Sequence, residues 1–123
     1  MNLIQIRELA HRLIVHDLAI RTLERDLQFT DVMKINRPLN QWIEISINKL
    51  REDYRSNKKA LLKEGGQIQD TILKEEGSWT YTMVYRGTTH NYRYMTIALH
   101  NWVDAEIQKL LNIPAYPTME GSK

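Results

Sequence analysis

The sequence predicts an α+β fold that is mostly helical, with the element order α-α-β-β-α. Apolar residues recur every three or four positions over residues 2–28 and again over residues 38–64, which is the period of a helix buried on one face. Between Ser78 and Arg86 the period changes to two, with aromatic and β-branched residues alternating. The helical period then returns in the last part of the chain. These changes of period predict a long antiparallel helical hairpin packed with a two-stranded antiparallel sheet and a C-terminal helix.

The first helix is predicted over residues 2–28. No glycine or proline interrupts it, and its apolar stripe shares one face at 100° per residue. The stripe consists of Ile6, Leu9, Leu13, Ile20, Leu23 and Leu27. His16 falls on the same face, so we expect a buried imidazole with one hydrogen-bonded nitrogen.

The second helix is predicted over residues 38–64. Pro38 suits the beginning of a helix, where its missing N–H is not needed. Gly65 and Gly66 end the helix, because glycine readily adopts the left-handed conformation of a helix end. With only a short connection before it, this helix is expected to lie antiparallel to the first.

The two strands are predicted over Ile68–Leu73 and Ser78–Arg86, joined through Glu75, Glu76 and Gly77. Ile68 and Ile72 are also four residues apart, so a helical turn is the alternative for the first strand. We expect the helices to cover one face of the hairpin, because an isolated two-stranded sheet is marginally stable. Trp79 is predicted to pack under the helices.

The last helix is predicted over Thr89–Asn112, ending before Pro114. Its beginning is ambiguous, because Tyr92, Arg93 and Tyr94 can also extend the sheet as a third strand. We expect residues 1–113 to form a single α+β domain and residues 114–123 to form a loose C-terminal tail.

Composition excludes several classes of protein. The chain has 123 residues, no cysteine and a formal net charge of +2. A disulfide framework, a thiolate zinc site and a cysteine nucleophile are therefore excluded. Neither a secretory signal nor an apolar run long enough for a membrane span is visible, so we expect a cytoplasmic protein without a membrane partner.

No catalytic residue, cofactor site or metal site is predicted. Walker A, G-x-G-x-x-G, G-x-S-x-G and H-E-x-x-H motifs are missing from the sequence. Glu8 and His11 have the spacing of a helical metal site, but a second copy and further carboxylates are missing. His100 and Asp104 are four residues apart, yet a single such pair is a weak indication of catalysis.

A basic ridge is predicted on the second helix, formed by Arg51, Arg55, Lys59 and Lys63 at successive four-residue steps. Such a ridge can neutralise phosphates. Arg86 and Arg93 lie among aromatic residues in the turn after the second strand, a combination that single-stranded nucleic-acid sites use. The alternative is a solvated face, because cations near a helix C-terminus are stabilised by the helix dipole.

A homodimer interface is predicted on the first helix through Ile4, Val15 and Leu18. These residues lie opposite the main stripe, and a helix that is apolar on both sides is buried on both sides. The alternative is that the C-terminal helix covers this second face.

The function expected from these features is that of a small non-enzymatic interaction or regulatory protein, with another protein or a second copy as the partner. The alternative is a nucleic-acid-binding protein that uses the basic ridge and the aromatic-basic turn. An enzyme with a site assembled from distant residues stays open, because fold alone does not decide function.

Overall fold

The computed structural model describes residues 1–30 and 36–111. Over these residues, three helices and a three-stranded antiparallel sheet confirm the predicted α+β class, with the order α-α-β-β-β-α. The elements are α1 Leu3–Leu27, α2 Asn36–Lys63, β1 Gly66–Glu75, β2 Ser78–Tyr85, β3 Thr88–Met95 and α3 Thr96–Leu110. The predicted tail, residues 114–123, lies outside the described residues.

The beginning of α1 and the end of α2 are formed by residues suited to those positions. The Asn2 side chain accepts a hydrogen bond from the Gln5 backbone N–H, and the Gln5 side chain accepts one from the Asn2 backbone N–H. This reciprocal pair satisfies two N–H groups that the first turn of α1 leaves without helical partners. After α2 ends at Lys63, Gly65 takes a φ of +89°, as its place at the helix end predicts.

The two long helices form the predicted antiparallel hairpin. Leu61, near the end of α2, packs with Ile6 near the beginning of α1. Ile43, near the beginning of α2, packs with Leu23 near the end of α1. The ends of the two helices therefore meet in opposite order, and the core between them runs the length of both.

The sheet has the strand order β1-β2-β3 and packs one face against the helices. Residues 68–73 form part of a strand, with Ile68 opposite Met83, so the helical-turn alternative is wrong. Met83 is fully buried against α1. Trp79 is partly buried and packs against the cluster of Ile14 and Leu99, consistent with its predicted place under the helices.

The predicted beginning of the last helix, Thr89, was wrong, because the helix begins seven residues later, at Thr96. The structure continues the sheet through β3, Thr88–Met95, and begins α3 at Thr96. Arg86 and Gly87 both have positive φ, 50° and 81°, which makes a two-residue hairpin turn. The chain therefore returns alongside β2, and the alternative of a third strand through residues 92–94 is confirmed.

Helix α3 folds back onto α1. Val103 and Ile107 pack against a cluster that contains Val15 and Leu18. Val15 is only 4% exposed and Leu18 is partly buried, so α3 covers much of the apolar face that we assigned to a dimer interface. Val15 is thus a core residue of the single chain. Ile4 alone of the three is exposed, at 66%.

Among the helices that the structure describes, none combines the length and the apolar character needed to cross a bilayer.

Candidate binding groove

An open groove of about 710 Å³ lies between α1, the strand β3 and α3. Each helix contributes one face, with residues three or four positions apart. β3 contributes four consecutive residues, Asn91–Tyr94, so the groove runs along the strand's outer edge. The helical lining consists of Ile4, Arg7, Glu8, His11, Arg12 and Val15 from α1, and Trp102, Ala105, Glu106 and Lys109 from α3.

Three aromatic rings, one from each element, meet in the groove. The rings of His11 and Trp102 are 4.5 Å apart in an edge-to-face arrangement, and those of Tyr94 and Trp102 are 5.7 Å apart in the same arrangement. His11 Nδ1 lies 3.2 Å from the Tyr94 hydroxyl. Edge-to-face aromatic pairs stabilise a fixed geometry. Because Trp102 is still 41% exposed, part of this cluster faces solvent and is available to a ligand.

Burial shifts the pKa values of Tyr94 and His11 in opposite directions. It raises the pKa of Tyr94 to about 12, so its hydroxyl keeps its proton at neutral pH. Burial lowers the pKa of His11, and the nearby Arg12 guanidinium lowers it further, whereas Glu106 acts in the opposite direction. The imidazole is therefore neutral at neutral pH, and the Tyr94 hydroxyl can donate its proton to Nδ1.

The charged lining of the groove is predominantly basic. Arg7, Arg12, Arg93 and Lys109 are exposed, and Glu8 and Glu106 are the carboxylates of the lining. Glu106 is already paired with Lys109 at 3.0 Å. The Arg7 guanidinium lies 6.0 Å from the centre of the Tyr92 ring. The groove therefore offers cations next to aromatic surface, a combination suited to an anionic partner.

His16 connects α1 to α3 beneath the groove. It is 6% exposed, and its Nε2 lies 3.3 Å from Glu106 Oε2. Its Nδ1 is buried and has no hydrogen-bond partner among residues 1–30 and 36–111. The prediction of a buried imidazole with one bonded nitrogen is confirmed, and the contact fixes Glu106 in the groove wall.

The predicted basic ridge lies on α2, away from the groove. Arg51 pairs with Glu24 of α1. Arg55, Lys59 and Lys63 are exposed, and none of them forms an ion pair with another described residue. With respect to residues 1–30 and 36–111, three of the four ridge cations are therefore available to an external anion.

The structure separates the two arginines of the predicted aromatic-basic turn. Arg86 Nε donates to the Glu64 carbonyl at 3.2 Å, which places this side chain at the end of α2 next to Lys63. Arg93 Nε donates to Ser78 Oγ at 3.2 Å, at the opposite end of the hairpin from Arg86. Arg86 is thus held beside Glu64, whose carboxylate lies 4.0 Å from its guanidinium, whereas Arg93 lines the groove.

Sequence reasoning missed most of the groove. Arg7, His11 and Arg12 share one face of α1, and Trp102, Glu106 and Lys109 share one face of α3. Their spacing was a visible signal that each helix has a mixed polar and aromatic face. The signal did not show that these faces meet, because that depends on the direction in which α3 leaves β3.

The two histidine pairs noted in the sequence have different surroundings. Glu8 and His11 both line the groove, whereas His100 is exposed and lines a smaller cleft beside Trp79. Within the part of the chain that the structure describes, no three histidine or carboxylate side chains are grouped to hold a metal ion.

Comparison with known proteins gives a family for this chain. No curated protein and no solved structure matches the sequence. The sequence profile of the family described as "YhjD protein" matches residues 1–115, which include all three helices and all three strands. The chain belongs to the YhjD protein family.

Proposed function

We propose that this protein is a small non-enzymatic interaction protein that binds another macromolecule through the groove between α1, β3 and α3. The observation that carries the proposal is the combination of a packed, partly exposed aromatic cluster with an exposed basic lining. Tryptophan, tyrosine and arginine side chains contribute a large share of the binding energy at protein interfaces. The groove supplies all three within one open surface.

The test is affinity capture from an extract of the native host, with the full chain as bait. The groove variant is Arg7→Glu with Arg12→Glu. Its matched control is Arg55→Glu with Lys59→Glu, which makes the same change of charge on the exposed face of α2. Far-UV circular dichroism checks that both variants keep the fold.

We expect the wild type and the α2 control to retain the same partner after nuclease treatment, and the groove variant to lose it. Equal retention by the groove variant contradicts the proposal. Loss only from the α2 control, together with sensitivity to nuclease, favours the second candidate function.

The second candidate is nucleic-acid binding by the ridge on α2. It is supported by the three exposed cations Arg55, Lys59 and Lys63, none of which forms an ion pair with another described residue. A row of cations with this spacing can follow a phosphate backbone, and its affinity falls as salt rises.

A further inference from the structure

The outer edge of β3 has unpaired backbone groups. Tyr85 and Thr88 are opposite one another on the two sides of a two-residue turn, so they exchange both backbone hydrogen bonds. Pairing then alternates along the strand. By this alternation the N–H and C=O groups of Tyr92 point to β2, whereas those of Asn91 and Arg93 point away from β2, at the edge that lines the groove. No described residue forms a backbone hydrogen bond to Asn91 or Arg93 on this side.

The two edges of the sheet differ in how well they can accept another strand. β1 has an irregular register between Ile68 and Ile72, and a bulge of this kind bends an edge away from further pairing. β3 keeps a regular register over all of its eight residues and contains no proline. The regular edge is therefore the one that lines the groove.

The charge around this edge selects among occupants. Arg7, Arg12 and Arg93 would repel the same edge of a second copy, because two-fold pairing brings like charges together. A nucleic acid carries the negative charge that complements these arginines, but it lacks the alternating backbone amides that a β-strand needs to pair with β3. An acidic polypeptide in extended conformation satisfies both requirements.

We propose that the groove receives an extended acidic segment of a partner protein, which adds to β3 as a fourth strand of the sheet. This inference rests on the proposed function of the groove. Side chains on one face of the added strand point towards α1 and α3, where Arg7, Arg12 and Lys109 lie. Acidic residues at alternate positions are therefore preferred.

The probe is a synthetic seven-residue peptide of alternating glutamate and valine, blocked at both ends and labelled with a fluorophore. A lysine–valine peptide of the same length is its control. Binding to the full chain is followed by fluorescence anisotropy at low salt. We expect the acidic peptide to bind and the basic one not to bind. Arg12→Glu should weaken binding about tenfold or more, whereas Arg55→Glu should change it less than about twofold.

The strand geometry is tested by methylating the peptide's amide nitrogens one at a time. In a strand ladder only every second N–H points to β3, so loss of binding should alternate along the peptide. Amide exchange gives a second readout from the protein side. The Asn91 and Arg93 amides should exchange rapidly in the free protein and slow about tenfold or more with the peptide, while the Tyr92 amide stays slow throughout.

The possible outcomes distinguish the added strand from binding by the groove in general. Binding that depends on Arg12 but does not alternate with methylation overturns the added strand and leaves the groove as a binding surface. No binding of the peptide, combined with binding of oligothymidylate that Arg12→Glu removes, also overturns it in favour of a single-stranded nucleic acid. If the protein without peptide has a mass above that of the monomer, and substitution of Asn91 and Arg93 restores the monomer mass, the edge pairs with a second copy instead. If neither probe binds and no partner is lost from the groove variant in affinity capture, the proposed function fails as well.

Discussion

His11 connects the packing of the groove to its charge. Its ring contacts Trp102 and lies within hydrogen-bond distance of the Tyr94 hydroxyl, so its protonation state affects all three elements. Burial and Arg12 both disfavour the imidazolium. A protonated ring would lose the acceptor at Nδ1 and add a cation next to Arg12.

We predict that His11 makes the domain less stable in mild acid. Because the pKa of His11 in the folded protein lies below its ordinary value of 6.5, the unfolded chain binds the proton first as the pH falls. The stability that the neutral His11 imidazole contributes to the folded state is therefore fully present above about pH 6.5. It is lost as the pH falls through the lowered pKa of the folded state. Urea unfolding at a series of pH values measures it.

The matched control is His11→Gln, which keeps a polar side chain that does not titrate. The difference in unfolding free energy between wild type and variant should shrink as the pH falls. A difference that is constant with pH would show that His11 has the same pKa in both states.

Leu18 and Ile4 test the packing of α3 on α1. Leu18 packs into the contact between these helices, whereas Ile4 is exposed. Leu18→Asp should lower the free energy of unfolding by at least about 2 kcal/mol, because it places a carboxylate among apolar side chains. Ile4→Asp should change it by less than about 0.5 kcal/mol in the monomer. Denaturant unfolding measures both, and equal effects would contradict the position of α3.

At the scale of elements, periodicity predicted the helices well and the third strand poorly. The stripes of α1 and α2 each span several turns, so a chance match is improbable. β3 has eight residues, and Tyr92 and Met95 are also spaced as in a helix. What decides the matter is the turn, where Arg86 adopts a positive φ. Gly87 indicated a turn, but an arginine is uncommon at positive φ, so the residue types did not indicate a two-residue hairpin turn in particular.

The ridge on α2 gives a prediction at this scale. Changing Arg55, Lys59 and Lys63 together to glutamate should abolish any retardation of single- or double-stranded nucleic acid in a gel at low salt, because the exposed cations then become anions. Arg51 is left unchanged, since it pairs with Glu24. The groove variant Arg7→Glu with Arg12→Glu is the control.

Two results would contradict the ridge. If the wild-type protein retards neither DNA nor RNA at low salt, the protein does not use this surface for nucleic acid. If the groove variant loses retardation and the ridge variant keeps it, the cations of α1 are responsible instead.

At the scale of the whole molecule, the groove was beyond sequence reasoning because three separate elements build it. Arg93 was identified from its aromatic neighbours, and its position in β3 now explains that pattern as alternate residues of a strand. The contributions of α1 and α3 depend on α3 returning across α1, which no local pattern specifies. Because α3 packs across α1, it also buries Val15, so Val15 is not available to the predicted dimer interface.

The homodimer stays a prediction, with a smaller contact than the sequence suggested. Ile4 is exposed together with its neighbours Met1 and Leu3 at the beginning of α1, and exposed apolar groups of this kind favour association. Three side chains cover much less than a standard interface, so we expect a weak dimer whose population rises with concentration. Light scattering over a range of protein concentrations should show the mean mass rising towards twice that of the monomer.

Ile4→Asp should keep the mass at that of the monomer at every concentration. Leu18→Asp is not a suitable probe of the dimer, because its side chain supports the packing of α3 and the variant is expected to be unstable. A wild-type mass that stays monomeric up to millimolar concentration would leave Ile4 as an ordinary surface residue. An increase in mass that Ile4→Asp does not affect would place the contact elsewhere on the molecule.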